Sequence, residues 1–239
     1  MSYADYLMSK STKVNMYKVV RETHGDVAAM KEALQKGASV DDSGYDSNDD
    51  TGLTEAASQG NYNAVAWLLD NGANVNHMCC YSGSVLQHAI RSGETEVVKL
   101  LLDRDVNVNK WNSSGSTACR TALEAAISKD NVEITTLLLN RGDQCSARFK
   151  DHRTPLMLAA YYGSIKVATL LLDSRGVNVN ETNEGQQTAL IFAALGGKAE
   201  VAKLLLERGA NRKIVAKGGK TAMDLAHEGS HTSIVALLT

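Results

Sequence analysis

One phrase recurs along this 239-residue chain and limits its fold more than any other feature. Each copy opens on a triplet led by Thr or Ser: Thr51-Gly52-Leu53, Ser84-Val85-Leu86, Thr121-Ala122-Leu123, Thr154-Pro155-Leu156, Thr188-Ala189-Leu190 and Thr221-Ala222-Met223. These starts are 33, 37, 33, 34 and 33 residues apart. Leucine runs keep step with them: Leu68-Leu69, Leu100-Leu101-Leu102, Leu137-Leu138-Leu139, Leu170-Leu171-Leu172, Leu204-Leu205-Leu206 and Leu237-Leu238. So do exit phrases ending at Asn76, Asn109, Asn180 and Lys213, and a degenerate seventh copy upstream ends at Asp41. A period of this length means one small supersecondary unit repeated, which cannot bury its apolar face alone and is stabilised by stacking.

Each slot has a physical reading. Thr or Ser at the triplet start N-caps a first helix, and Pro155, the one proline, stands at the first helical position. The pairs Ala56-Ala57, Ala125-Ala126, Ala159-Ala160 and Ala193-Ala194 let helices approach closely. Gly60, Gly93, Gly163, Gly197 and Gly229 are read as the turn that ends the first helix, with Asp130 in that slot in the fourth copy. Trp67 shares the leucine register of a second helix and is read as core. Apolar residues make up 44% of the chain but aromatic residues only 5%, so leucine and alanine carry the packing, as small stacked helices require.

Period and motifs together closely resemble the ankyrin repeat, whose consensus carries T-P-L-H-x-A at about 33 residues. The resemblance covers residues 17–239 and implies an all-α solenoid of helix-turn-helix units with finger-like hairpin loops. About seven repeats, degenerate caps included, fall near 17–41, 50–78, 83–110, 120–147, 153–181, 187–214 and 220–239, after an N-terminal helical extension at 1–16. Two departures stand out. The consensus His is replaced by Thr54, Gln87, Glu124, Met157, Ile191 and Asp224, which puts the family's usual hydrogen bond between neighbouring repeats in doubt. Two fingers are lengthened, by about two residues in an acidic stretch and about four around Trp111. The chain stops within the last helix, as an abrupt natural end or a piece of a longer protein would.

Charge and cysteine use narrow the function classes. A net charge of −2 argues against general nucleic-acid binding. Residues 41–50 hold five Asp and no Lys or Arg, whereas 203–220 hold six Lys or Arg and one Glu. No apolar run reaches the roughly 18–20 residues of a membrane span, and MSYADYLMSK has no signal core. Four cysteines with no CxxC favour reduced thiols and a cytoplasmic or nuclear setting.

Several local motifs invite chemistry. His227-Glu228-Gly229-Ser230-His231 spells HExxH, but Gly229 is expected to break the helix that a zinc protease would need. Cys79, Cys80 and Cys119 lie in adjacent loops and are read as ordinary thiols. Asp42 to Ser47 resembles the DSGxxS phosphodegron of the inhibitors of NF-κB transcription factors, making Ser43 and Ser47 candidate phosphosites, though a solvated loop is the plainer reading. Asn76, Asn109 and Asn180 resemble asparaginyl-hydroxylase sites of ankyrin proteins; the plainer reading is that they bond the hairpin backbone. The basic cluster of Arg208, Arg212, Lys213, Lys217 and Lys220 is read as a solvated end face. No catalytic constellation, cofactor or metal site is expected.

The resemblance implies binding through the finger tips and the concave face of the first helices. The slots concerned hold Tyr81, Arg91, Trp111, Arg120, Lys129, Phe149, Lys150, Arg153, Tyr161 and Tyr162. Trp, Tyr and Arg dominate interface energetics. The leading reading is a monomeric, non-catalytic scaffold, adaptor or inhibitor that holds a protein partner. Alternatives are the substrate-recognition region of a longer enzyme or secreted effector, and an NF-κB-inhibitor-like binder regulated through DSGxxS.

Overall fold

A computed structural model describes residues 14–44, 49–80, 83–109, 121–141, 152–174 and 177–239. The chain forms two compact units, Met1–Ala122 and Leu123–Thr239. The proposed N-terminal helix falls largely on residues outside the described ones; the first described helix starts at Met16, capped by Asn15.

The first unit contains α1 (Met16–Thr23), α2 (Val27–Gln35), α3 (Gly52–Ser58) and α4 (Tyr62–Asp70). A two-stranded antiparallel hairpin follows, β1 (Met78–Cys79) with β2 (Gly83–Ser84), then α5 (Val85–Ser92) and α6 (Thr95–Leu102). First helices pack on first helices (α1 on α3, α3 on α5) and second on second (α2 on α4, α4 on α6).

The second unit contains α7 (Ala122–Ser128, from Leu123 on), α8 (Val132–Asn140), α9 (Pro155–Tyr162), α10 (Ile165–Asp173), α11 (Ala189–Leu195), α12 (Ala199–Glu207), α13 (Ala222–Glu228) and α14 (Thr232–Leu238). Here α9 packs on α11 and α11 on α13, while α8, α10, α12 and α14 form the second row. Among the described residues this makes seven helix pairs, all-α apart from the short hairpin.

The recurring residues account for the recurring shape. Thr51, Ser84, Thr154, Thr188 and Thr221 are all N-caps, each side chain accepting a hydrogen bond from the backbone N–H three residues on. The slot that lacks the consensus His completes that cap. Thr54 Oγ1, Gln87 Oε1 and Asp224 Oδ2 each accept the N-cap's own N–H at 2.8 Å, and Met157 Sδ does so at 3.4 Å. A reciprocal capping box therefore replaces the expected role at four positions. In four of the six leucine runs one residue, Leu68, Leu101, Leu138 or Leu205, is fully buried, and the alanine pairs are buried throughout.

One turn assignment needs correction. The left-handed residue falls nine positions after the N-cap: Gly60, Gly93, Asp130, Gly163, Gly197 and, in the last copy, Ser230 at φ 57°. Gly229, expected there, has φ −80°. It stands one residue early, where the backbone is right-handed and does not itself require glycine, although a Cβ there would meet the His231 ring at 2.5 Å. Asp130 suits the left-handed slot because Asp tolerates that conformation. It adds a second service: its carboxylate accepts the N–H groups of Lys166 and Val167 at 3.2 and 2.9 Å. It thereby caps α10, whose own N-cap Ser164 makes no side-chain cap.

Candidate protein-binding surface

The register that fixes the caps also decides which first-helix side chains reach solvent. Seven residues after the N-cap, on the last turn of the first helix, stand Ser58 and Arg91 in the first unit. In the second unit the same slot holds Ser128, Tyr161, Leu195 and Glu228. Tyr161 and Leu195 are large, apolar and well exposed, at 42% and 39%. They sit on α9 and α11, which pack together. The approach is close: a Cβ placed on Gly196 would lie 2.5 Å from the Tyr161 carbonyl oxygen, so a side chain there would push the two helix ends apart.

Tyr162 holds Tyr161 in place. The two rings meet edge to face with centroids 5.3 Å apart. The Tyr162 hydroxyl donates to Glu124 Oε1 at 2.7 Å, and Glu124 is itself buried on α7. Of the adjacent tyrosines, Tyr161 is therefore the one presented to solvent, and Tyr162 is tied into the fold.

The other named residues divide. Arg153 is half-buried, with its guanidinium 4.9 Å from the centroid of the buried Phe192 ring, so part of its chemistry goes into packing. Lys129 is exposed in the second unit. Arg91 is exposed in the first unit, with Nε donating to the Gln87 carbonyl. Tyr81, Trp111, Arg120, Phe149 and Lys150 lie outside the described residues. Leu195 was missed by sequence reasoning although it shares Tyr161's slot. Tyr62 on α4, 47% exposed, was missed as well.

The acidic finger is anchored. Asp41 Oδ1 accepts the Asn74 N–H at 2.9 Å, and Asp42 Oδ2 accepts the Ser39 N–H at 2.9 Å. Asn15 Nδ2 donates to the Ser43 carbonyl, Ser43 bridges to Thr51, and the Gly44 N–H donates to the Asp50 carbonyl at 2.8 Å. Ser43 is thus half-buried in a pinned isolated bridge, and Ser47 lies outside the described residues.

Two of the asparagines staple neighbouring loops. Asn76 Oδ1 accepts the Asn107 N–H at 2.7 Å while its Nδ2 donates to the Asp105 carbonyl. Asn180 repeats the pattern with the Asn211 N–H at 2.7 Å and the Gly209 carbonyl. Asn109 takes the N–H role within its own loop, donating to Asn107 Oδ1.

The basic end is largely engaged in local contacts. Arg208 pairs with Asp173 at 2.7 Å, Lys220 with Glu228 at 2.7 Å, and Arg212 donates to the Leu238 carbonyl. His227 lies on α13, and His231 precedes α14 beyond the Gly229–Ser230 turn, so the HExxH residues do not share one helix. Among the described residues, two titrations depart from the ordinary. Burial lowers the His88 imidazole to about 4, with the Arg91 charge adding to the effect and Asp50 opposing it. Hydrogen bonds from Thr221 hold the Asp224 carboxyl below the usual carboxylate range.

Comparison with known proteins bears on most of the chain. The family model described as ankyrin repeats (3 copies) matches residues 16–112 and 110–183, and that described as ankyrin repeats (many copies) matches 170–226. Human ankyrin repeat and KH domain-containing protein 1 is 36% identical over 110 residues, 46% of this chain and 4% of that protein. The Notch protein of Drosophila melanogaster is 32% identical over 125 residues, 52% of this chain and again 4% of the relative. The chain thus spans a small part of these two relatives. The crystal structure of the human ASB11 ankyrin repeat domain aligns with a TM-score of 0.74 at 25% identity, covering 94% of this chain and 97% of that one. No described helix is long and apolar enough to cross a membrane.

Proposed function

Since this chain belongs to the ankyrin-repeat family, we propose that it is a non-catalytic scaffold that holds a protein partner against the first-helix face of its second unit. Ankyrin repeats are in general protein-protein interaction modules. The observation that carries the reading for this chain is the exposed Tyr161–Leu195 pair on two tightly packed helices, with Tyr161 braced by Tyr162 and Glu124. Such a surface is ordered before the partner arrives, so little conformational entropy is lost on binding. Exposed Tyr at the centre of a packed patch is the residue type that concentrates binding energy. The exposed Lys129 and the half-buried Arg153 add cationic groups to the same unit, which favours a partner carrying both an apolar anchor and acidic groups.

A second reading rests on the coverage of the relatives. The stretch of this chain that matches the two relatives just described, about half of it, covers 4% of each of them. In this reading the array is the recognition region of a longer protein whose activity resides elsewhere. Both readings place the binding on the same residues, and both fit a reducing intracellular setting for the exposed Cys80 thiol.

The test is affinity purification from the native cell with wild type and with Tyr161→Ala/Leu195→Ala, after circular dichroism shows that both fold. A discrete protein retained by wild type and lost by the double variant supports the assignment. The same proteins retained by both would place the binding elsewhere.

A further inference from the structure

Away from that surface, three segments of the first unit bring together three different metal-ligating atoms. Asp50 immediately precedes Thr51, the N-cap of α3; Cys79 ends β1; His88 lies one turn into α5. A carboxylate oxygen, the Sγ and a ring nitrogen from these residues lie within 4.8 Å of one another. Among the described residues this is the one such group of three. Cys79 is 2% exposed and His88 9%. The Nε2 of His88 is closed off from solvent and has no hydrogen-bond partner, the nearest Asp50 oxygen being 3.9 Å away. A buried polar atom left without a partner is costly, so it calls for an explanation.

We propose that Asp50, Cys79 and His88 form a binding site for a divalent cation of the zinc class. Mixed thiolate, imidazole and carboxylate donors suit Zn2+, whereas Mg2+ and Ca2+ take oxygen ligands. Binding replaces the Cys79 S–H with an S–metal bond and releases that proton to solvent. Three protein ligands leave the fourth tetrahedral position to water. Bonds of about 2.0–2.3 Å at a tetrahedral ion set its ligands roughly 3.3–3.7 Å apart, so the group must contract by ~1 Å. Asp50, half-buried at the closing end of the acidic finger, is the ligand placed to move. The ion then ties the finger to the hairpin and to α5, a link that no sequence motif announces.

The probe is Co2+ added to the untagged 239-residue chain, followed by its thiolate-to-metal charge-transfer absorption, with Zn2+ as competitor. The expected result is one Co2+ per chain, displaced by Zn2+, and a melting temperature that rises with Zn2+. Cys79→Ser abolishes the band, and Asp50→Asn weakens binding by about tenfold or more. Cys80→Ser and His227→Ala/His231→Ala behave as wild type. A substoichiometric titration, a band that survives Cys79→Ser, or one lost in Cys80→Ser overturns the assignment. Should Cys79→Ser fail to fold, the wild-type stoichiometry and Asp50→Asn, whose side chain is partly exposed, decide the matter.

Discussion

Ser58 and Arg91 in the first unit occupy the slot that Tyr161 and Leu195 occupy in the second, seven residues after an N-cap that both units build alike. The cap, the alanine pair and the left-handed turn hardly vary between the units, because each is needed to close a helix or to let two helices touch. The seventh position meets no such demand, so its chemistry is open to selection for other purposes. In the first unit the notable polar groups gather around a finger, where Asp41, Asp42 and Asn15 pin the chain. In the second, two apolar side chains are held out to solvent on a rigid base. A shared scaffold thus carries two different surfaces.

If the scaffold is common to both units, equivalent core truncations should cost alike. Leu68→Ala and Leu205→Ala, both in fully buried leucine slots, are each expected to lose about 2–5 kcal/mol in urea unfolding. A large cost in one unit and a small one in the other would break the comparison at its foundation. The surface contrast comes next. Tyr161→Ala should weaken binding of a captured partner by ~2 kcal/mol or more, about 30-fold, in calorimetry, with Arg91→Ala having a clearly smaller effect. Equal losses would mean that the two faces are not specialised.

The loop staples give a smaller, matched pair. Asn76→Ala and Asn180→Ala each remove two hydrogen bonds to a neighbouring loop and should cost about 1–2 kcal/mol by thermal or urea unfolding. The smallest effect is expected at Asp224→Ala, in an exposed capping box, and its pH dependence sharpens the test. The folded-state pKa of Asp224 is depressed, so its contribution is present above the ordinary carboxylate pKa and is lost as pH falls through the folded value. Wild type and variant should differ slightly in C-terminal helix protection at neutral pH and converge in acid.

Periodicity makes the scaffold legible in the sequence alone. The Thr caps, alanine pairs and leucine runs repeat because stacking requires them, and each took its expected place. Gly229 misled by one residue, since Gly229 and Ser230 are both plausible turn residues and only backbone geometry separates them. The lost consensus His looked like a missing contact, although its replacements are local partners of the cap. Tyr161 and Tyr162 are indistinguishable in sequence; the buried Glu124, 38 residues away from Tyr162, decides which ring faces solvent. Leu195 reads as core by composition and is exposed only because of its register. Asp50, Cys79 and His88 come from a finger, a strand and a helix, so no spacing rule could have joined them.

The central claim, that the second unit's first-helix face binds a protein, is tested most directly by site-specific photo-crosslinking in the native cell. A photoreactive phenylalanine analogue would be placed at Tyr161, at Leu195 and, as a control, at Tyr62, an equally exposed tyrosine on a second helix of the first unit. The account predicts one discrete crosslinked protein, shared by positions 161 and 195 and absent at 62. Capture of that protein at 62 alone, or equally at all three positions, would contradict it.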